Sequence, residues 1–493
     1  MKLRAAKFGA GVLTVLLVAS CADMGGLSTR ATLESADTLA AGRSLGDAKL
    51  SPQAWPPIDW WKEFRDAQLD RLIAEALAGS PTLAVARARV RSALAVARTA
   101  RSALYPEVKG DVTLTRERLS EHGLVPPPFG GRWITEAGLQ ATFDYGLDLW
   151  GRNRAAYESA VGRARAVEVE DFAARLALSV AVAQAYVQLQ QVFLQLDLAR
   201  KTLAEEQQIY QLTRDRFDAG IDTRLAVKQA EAALPATRLR ILRLQETRDV
   251  TRHALAALMG RGPDRGLEIG RPHIKTLPEV RIPSKVPAAL LGRRPDIVAQ
   301  RWRVEAAARD IDVAKARFYP DVNLAAFIGL QSVGLSNLLE GASRTLGAGP
   351  AITLPIFEGG RLRADLARRS ADYDAAVERY NQTLVEALHD VVDHLTSLRS
   401  LEEQRSEQKR AEANAQEAFD LALMRFREGV GNYLEVLTAE SRLLEQRAID
   451  IDLHTRVLNL SIGLTRALGG GFDDDSAPRQ HRATENEFRG DAS

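Results

Sequence analysis

The sequence predicts a mainly α-helical chain, internally duplicated, with very long coiled-coil helices and four strands belonging to a membrane β-barrel. Three observations carry this. The first is a repeat: residues 81–108 and 295–322 align without a gap at an offset of 214, sharing Arg87/Arg301, Val90/Val304, Ala100/Ala314, Tyr105/Tyr319 and Pro106/Pro320. Further on the offset is 209, where Arg216-Phe217 matches Arg425-Phe426, Gly220 matches Gly429, and Leu225, Val227 and Glu231 match Leu434, Val436 and Glu440. A duplication this long is one supersecondary unit built twice, so a site in one half has a counterpart in the other. The second observation is two helical stretches of extreme length. The third is strict alternation of apolar and polar residues ahead of each of them.

The elements follow in order. Lys2, Arg4 and Lys7 precede a short apolar run, residues 9–18, that is too short to span a bilayer and reads as a signal peptide over 1–20. It ends in Val18-Ala19-Ser20-Cys21, a lipobox pattern, and Cys21 is the only cysteine in the chain. A lone cysteine at this place reads as a lipidation site rather than half of a disulfide. Ala22, instead of an Asp that would retain a lipoprotein in the inner membrane, points to the outer membrane. Residues 21–57, rich in Ser, Thr, Gly and Pro, read as a lipid-anchored tether.

The first repeat is expected over 58–270. Leu69, Leu72, Ile73, Ala76 and Leu77 share one face of an amphipathic helix. Pro81 then opens a second helix, with Ser80 at its N-cap, and Tyr105-Pro106 stops it near Leu104. From Thr135 to Leu147 the odd positions are mostly apolar (Leu139, Phe143, Leu147) and the even ones polar (Glu136, Gln140, Asp144). That is the period of a strand with one wet face. Val108, Val112 and Leu114 begin its partner; the second half repeats the pair at Val322, Leu324, Ala326 and Ile328, then Leu346, Ala348, Pro350, Ile352 and Leu354.

A Gly-Arg corner follows each hairpin, Gly151-Arg152 and Gly360-Arg361. Between Arg152 and Phe217 there is no Pro and only Gly162; between Leu362 and Phe426 there is neither. Such a helix is roughly 95 Å long at ~1.5 Å per residue and needs a bundle partner along its length. The shorter helices before each hairpin and after each turn, laid end to end, supply it. Residues 271–292 read as a Pro-rich connector, 293–470 as the second repeat, and 471–493 as a disordered tail.

A sheet in lipid tolerates no free edge, and closed barrels need at least about eight strands, so four strands cannot close alone. Two chains would give 8 strands, three 12, four 16. The other reading of the hairpins is two soluble ribbons capping a helical bundle.

Several segments resemble motifs of the TolC-like outer membrane factors, in the lipoprotein efflux branch. They are Trp60-Trp61 with Phe64, Asp66 and Leu69, then Leu290-Leu291-Gly292-Arg293-Arg294-Pro295-Asp296, Ala314-Lys315-Ala316-Arg317-Phe318-Tyr319-Pro320, and Leu354-Pro355-Ile356-Phe357-Glu358-Gly359-Gly360-Arg361. The similarity covers roughly residues 55–470. It implies a homotrimer whose chains complete a twelve-stranded barrel in the outer membrane lipid above a periplasmic helical tunnel. It also implies a passive exit duct for small molecules, served by a periplasmic membrane-fusion adaptor and an inner-membrane efflux pump, with no cofactor.

The resemblance further assigns sites. Phe217 with Gly220, and Phe426 with Gly429, lie where each long helix turns back; Gly past a helix end supplies the left-handed cap. As tunnel tips they would meet the adaptor in two similar grooves per chain. Glu435 matches a position where acidic residues narrow the family's periplasmic gate, Asp222 is the first-half candidate, and Thr438 stands where a further acid is often found. Carboxylate rings favour cations in a pore.

Other functions fare worse. The formal net charge of +2 points to no nucleic acid or other polyanion. Charged residues at 26% against 6% aromatics suit long helices rather than a compact enzyme core. His389, Asp390, Asp393 and His394 share a helix, but no further ligand accompanies them, and no nucleophile elbow or phosphate loop is present. No long apolar helix for an energised membrane is evident. The chain is therefore expected to be no enzyme; a duct for protein secretion and a pore-less periplasmic scaffold lipoprotein are the alternatives.

Overall fold

The computed structural model describes residues 24–35, 39–40, 42–45, 55–274 and 286–474. Cys21, the signal segment and residues 475–493 lie outside them. The helices longer than one turn are α1 (Ala67–Gly79), α2 (Pro81–Ser102), α3 (Arg152–Asp218), α4 (Arg224–Leu258), α5 (Val286–Arg293), α6 (Pro295–Ala316), α7 (Arg361–Arg427) and α8 (Tyr433–Ala467), beside short helical turns at Gly42–Leu45, Trp60–Phe64, Asp264–Leu267 and Gly341–Ser343. The strands are β1 (Glu107–Arg118), β2 (Trp133–Leu147), β3 (Asp321–Val333) and β4 (Arg344–Thr353). The duplication is legible in the lengths: α2 and α6 have 22 residues each, α3 and α7 have 67, α4 and α8 have 35. Pro235 sits inside α4 without ending it, although it withholds an N–H from the helix ladder.

The chain divides into two compact units. The first holds residues 1–33, 89–167 and 300–380. Its sheet is antiparallel in the order β1-β2-β3-β4, so β1 and β4 are edges. The register sorts the side chains, because directly paired residues share a face. Val112 pairs with Leu139 and Leu139 with Leu330; Gly110, Ala141, Ile328 and Leu346 form the next row, and Val108, Phe143, Ala326 and Ala348 the one after. That face is apolar. The opposite face carries Glu107, Asp111, Glu136, Asp144 and Asn323. Leu354 falls one residue beyond β4.

Beside the sheet, α3 and α6 approach closely: a Cβ on Gly162 would stand 3.2 Å from that of Ala306. Asp310 of α6 accepts from Ser159 Oγ at 2.7 Å and pairs with Arg163 and Arg369. The described part of the expected tether is not free. Met24 packs beside Ile311, Phe318 and Leu366, and the backbone N–H groups of Arg30 and Ala31 both donate to Asp374 Oδ1, at 2.9 and 3.0 Å. One carboxylate that satisfies two backbone donors holds an extended segment which composition alone marked as loose.

The second unit holds residues 34–88, 168–299 and 381–493. Its largest core places Trp60, Phe64, Leu69, Leu72 and Ile73 against Tyr186, Leu189, Leu255, Met259 and Ile462. Asp66 organises this corner. Its Oδ1 caps α1 by accepting from the N–H groups of Gln68 and Leu69, while Oδ2 accepts from Tyr186 Oη and His273 N, each at 2.8 Å. Ser80 lies at the α1–α2 junction, where its carbonyl accepts from Ala84 N at 3.2 Å. One stretch of α3 is long and apolar enough to cross a membrane by composition, contrary to expectation; almost half of it is buried in protein, as with Val182, Val187 and Leu189.

Residues 471–474, which composition alone marked as loose, are docked. Phe472 is buried and its ring lies 5.5 Å from that of Phe172, while Asp474 N donates to the Gly292 carbonyl at 3.0 Å. The turn that returns the chain needs glycine: Gly469 has φ +88°, and a Cβ there would collide with the Arg293 carbonyl.

Candidate functional site

Each long helix ends in the same hydrogen-bonded turn. At the first, Gly220 N donates to Phe217 O at 2.9 Å and Ile221 N to Arg216 O at 2.8 Å; at the second, Gly429 N donates to Phe426 O and Val430 N to Arg425 O. This is the Schellman pattern, and both glycines take the left-handed conformation it requires, φ +75° and +82°. Thr223 then caps α4 by accepting from Ala226 N, and Asn432 caps α8 by accepting from Glu435 N at 3.0 Å. Ile221 and Leu225 at one turn, and Val430 and Leu434 at the other, expose matched apolar side chains.

The two turns are not equivalent. Phe426 is 0% exposed and packs with Tyr433, Val436 and Ile209, whereas Phe217 is 39% exposed. Arg216 causes the difference. Its guanidinium lies 4.4 Å above the Phe426 ring, donates to the Phe426 carbonyl at 2.6 Å, and pairs with Asp222 at 3.2 Å. Asp222 is thereby engaged inside the turn, with its other oxygen accepting from Thr223 N at 2.8 Å. Sequence reasoning missed Arg216, because the matched Arg425 carries the same letter in both repeats.

Glu435 stands in the first turn of α8, where a carboxylate faces the positive end of the helix. Asn432 Nδ2 donates to it at 3.1 Å, so the two side chains form a reciprocal cap, and Arg425 lies 3.8 Å away. It remains exposed. One turn further in, Thr438 turns its hydroxyl back to the Leu434 carbonyl at 2.8 Å. Behind these residues lies a buried acid cluster that no motif announced. Glu440 is 5% exposed, and burial together with Glu206 and Glu205 pushes its carboxyl up to about 7. Burial also raises Glu206, which accepts from Thr237 Oγ1 at 2.8 Å, and Tyr433 is pushed up to about 12.

The two strand-to-helix corners also diverge. Gly151 and Gly360 both have positive φ, +72° and +85°. After Gly151, Asp148 caps α3 by accepting from the N–H groups of Asn153 and Arg154 at 2.9 and 2.8 Å. Arg152 crosses to Asp321 at 3.0 Å, and Trp150 stacks on Tyr319 at 4.6 Å. Arg361 instead pairs backwards with Glu358. The histidine cluster is taken up by packing: His394 Nδ1 contacts the Asp390 carbonyl at 2.6 Å, and Asp390 pairs with Arg294.

Among known proteins, the outer membrane efflux protein family matches residues 72–261 and 286–470, which is both repeats. The fusaric acid resistance protein FusA of Burkholderia cepacia is 42% identical over 361 residues, 72% of this chain and 68% of that protein. The multidrug resistance outer membrane protein MdtP of Escherichia coli K12 is 34% identical over 441 residues, 86% of this chain and 89% of that one. The crystal structure of the outer membrane protein VceC of Vibrio cholerae superposes with a TM-score of 0.79 at 38% identity, covering 85% of this chain and all of that one. A duplicated helical chain with paired glycine turns and a sheet wet on one face only is thus a member of the outer membrane efflux protein family, an outer membrane channel of an efflux pump with a helical periplasmic tunnel.

Proposed function

We propose that this channel is a homotrimer, in which three four-stranded sheets close a twelve-stranded barrel. The observation that carries the reading is a sheet with one apolar face and two unpaired edges. Unpaired edges do not persist in lipid, so neighbouring copies must supply the missing pairing. Cys21 anchors the chain to the outer membrane by lipidation. The apolar pairs Ile221/Leu225 and Val430/Leu434, with Phe217, Gly220, Phe426 and Gly429 shaping the turns behind them, receive a periplasmic adaptor joined to an inner-membrane pump. Drugs or other toxic small molecules, as with the relatives named for multidrug and fusaric acid resistance, are the cargo.

Glu435 serves as the periplasmic gate carboxylate in this reading. Its exposure and its weak tie to Arg425 support that role. Asp222, held by Arg216, contributes by fixing the turn. Planar-bilayer recordings of the purified full-length protein test this. A small conductance that rises in Glu435→Ala supports the gate. A large conductance identical in both proteins overturns the gate, and no conductance in either overturns the duct.

A further inference from the structure

The apolar face of the sheet is not uniform. Following the alternation along all four strands, it carries no acidic residue, and its charges are Arg116, Arg118 and Arg344. All three lie at the loop end, away from the strand ends that lead into α3 and α7. From Val322 to Leu330 the apolar rows run about 27 Å along β3, which at the ~40° strand tilt of outer-membrane barrels is about 20 Å of height, on the order of their ~25 Å apolar band. Arg344 pairs with Leu330, so it stands at the upper edge of that band. Arg116 stands higher, its guanidinium 6.0 Å from the Trp133 ring centroid, and Arg118 is paired with Glu121. The opposite end of the band carries the Trp150–Tyr319 stack instead.

A cleft of about 430 Å³ opens on this same face, lined by Gly110, Leu139, Ala141, Ile328, Leu346 and Arg344. It exists because Gly110 and Ala141 withhold bulk from a row in which Ile328 and Leu346 stand proud. A Cβ on Gly110 would meet nothing within 4 Å. Arg344 is exposed and has no ion-pair partner among the described residues. The cleft thus joins an apolar slot to one unneutralised guanidinium at the depth of the headgroups.

We propose that this cleft binds a phosphorylated glycolipid of the outer leaflet, with an acyl chain against Gly110 and Ala141 and a sugar phosphate on Arg344. Guanidinium matches phosphate geometry bidentately and is retained where an ammonium would be hydrated away. The absence of acidic residues on the face gives the charge complementarity. An outer-leaflet lipid is chosen over an inner-leaflet one because the arginines lie at the loop end alone. The site rests on the reading of this face as the lipid-facing wall of a barrel.

The test uses the full-length protein in mild detergent and a multiply acylated, bis-phosphorylated disaccharide lipid, with its dephosphorylated form as control. Native mass spectrometry should show the phosphorylated lipid retained by the unsubstituted protein and retained less by Arg344→Lys, which keeps the charge and loses the bidentate fork. Arg344→Glu should weaken retention about tenfold, the scale of one lost charge-assisted contact. Gly110→Leu, which fills the slot, should weaken both lipid forms. Equal retention by Arg344→Glu, or equal retention of the dephosphorylated lipid or of a glycerophospholipid, overturns the site. Conductance of the same Arg344→Glu protein separates the two failures: a working channel with unchanged lipid retention sinks the lipid site alone, whereas the absence of any channel also sinks the barrel reading.

Discussion

Arg216 and Arg425 occupy matched positions, yet one is buried and the other lies in solvent. Removing the buried one strands a carboxylate, a carbonyl and an aromatic face together. Arg216→Ala should therefore cost the first turn about 3 kcal/mol, the scale of breaking a buried pair. Amide exchange at Gly220 and Ile221 should accelerate accordingly, whereas Arg425→Ala should leave its own turn within about 0.5 kcal/mol. Equal effects would mean that the Arg216 contacts carry no stability. The two turn glycines were legible in the sequence because turn chemistry is local. The inequality of the two turns was not, because it arises from a side chain that crosses between repeats to Phe426.

At the scale of elements, the helix bundle near the turns contains a titratable core. Glu440 on α8 faces Glu205 and Glu206 from α3 and Tyr433 on its own helix, and Glu206 in turn accepts from the Thr237 hydroxyl of α4; Arg447 of α8 lies 3.9 Å from Glu205 and bonds Gln416 of α7. The folded carboxyl titrates at about 7, against an ordinary value of 4.5. A raised carboxyl binds its proton more tightly in the folded bundle. The stability that this contributes is complete below about 4.5 and is lost as pH rises through about 7. Proteolysis of α8, or its amide exchange divided by the intrinsic base-catalysed rate, should thus accelerate between pH 5 and pH 8, by roughly tenfold or more. Glu440→Gln should flatten that profile and hold the bundle at its low-pH stability. A profile unchanged by the substitution would remove the acid cluster from the account. The sequence could place this residue only as the partner of Glu231 in the repeat, since burial depends on four helices meeting. Helix lengths, by contrast, were legible to within a few residues, because proline and glycine punctuate them locally.

At the scale of the whole molecule, the trimer reading makes the wet face of the sheet the lumen lining of the proposed barrel. It carries Glu107, Asp111, Glu117, Glu136 and Asp144, against Lys109. Acidic walls at close quarters favour cations. The channel should be cation-selective by reversal potential in a salt gradient, and Asp111→Asn with Asp144→Asn should shift that potential toward zero. Anion selectivity would assign the other face to the lumen. The period-two pattern made these faces legible from sequence alone; the docking of residues 24–34 and the burial of Phe472 were not, because low-complexity segments advertise no partner. Closure of the barrel between copies is the central claim, and a cross-link tests it most directly. Within one chain β1 and β4 stand about 14 Å apart, too far for a disulfide. Leu346→Cys paired in turn with single cysteines along β1 should therefore link only between copies, with the unsubstituted chain, whose one cysteine is Cys21, as reference. The account predicts, at one register, a covalent ladder that ends at three chains. A ladder that ends at two or four, or no ladder at any register, would contradict it.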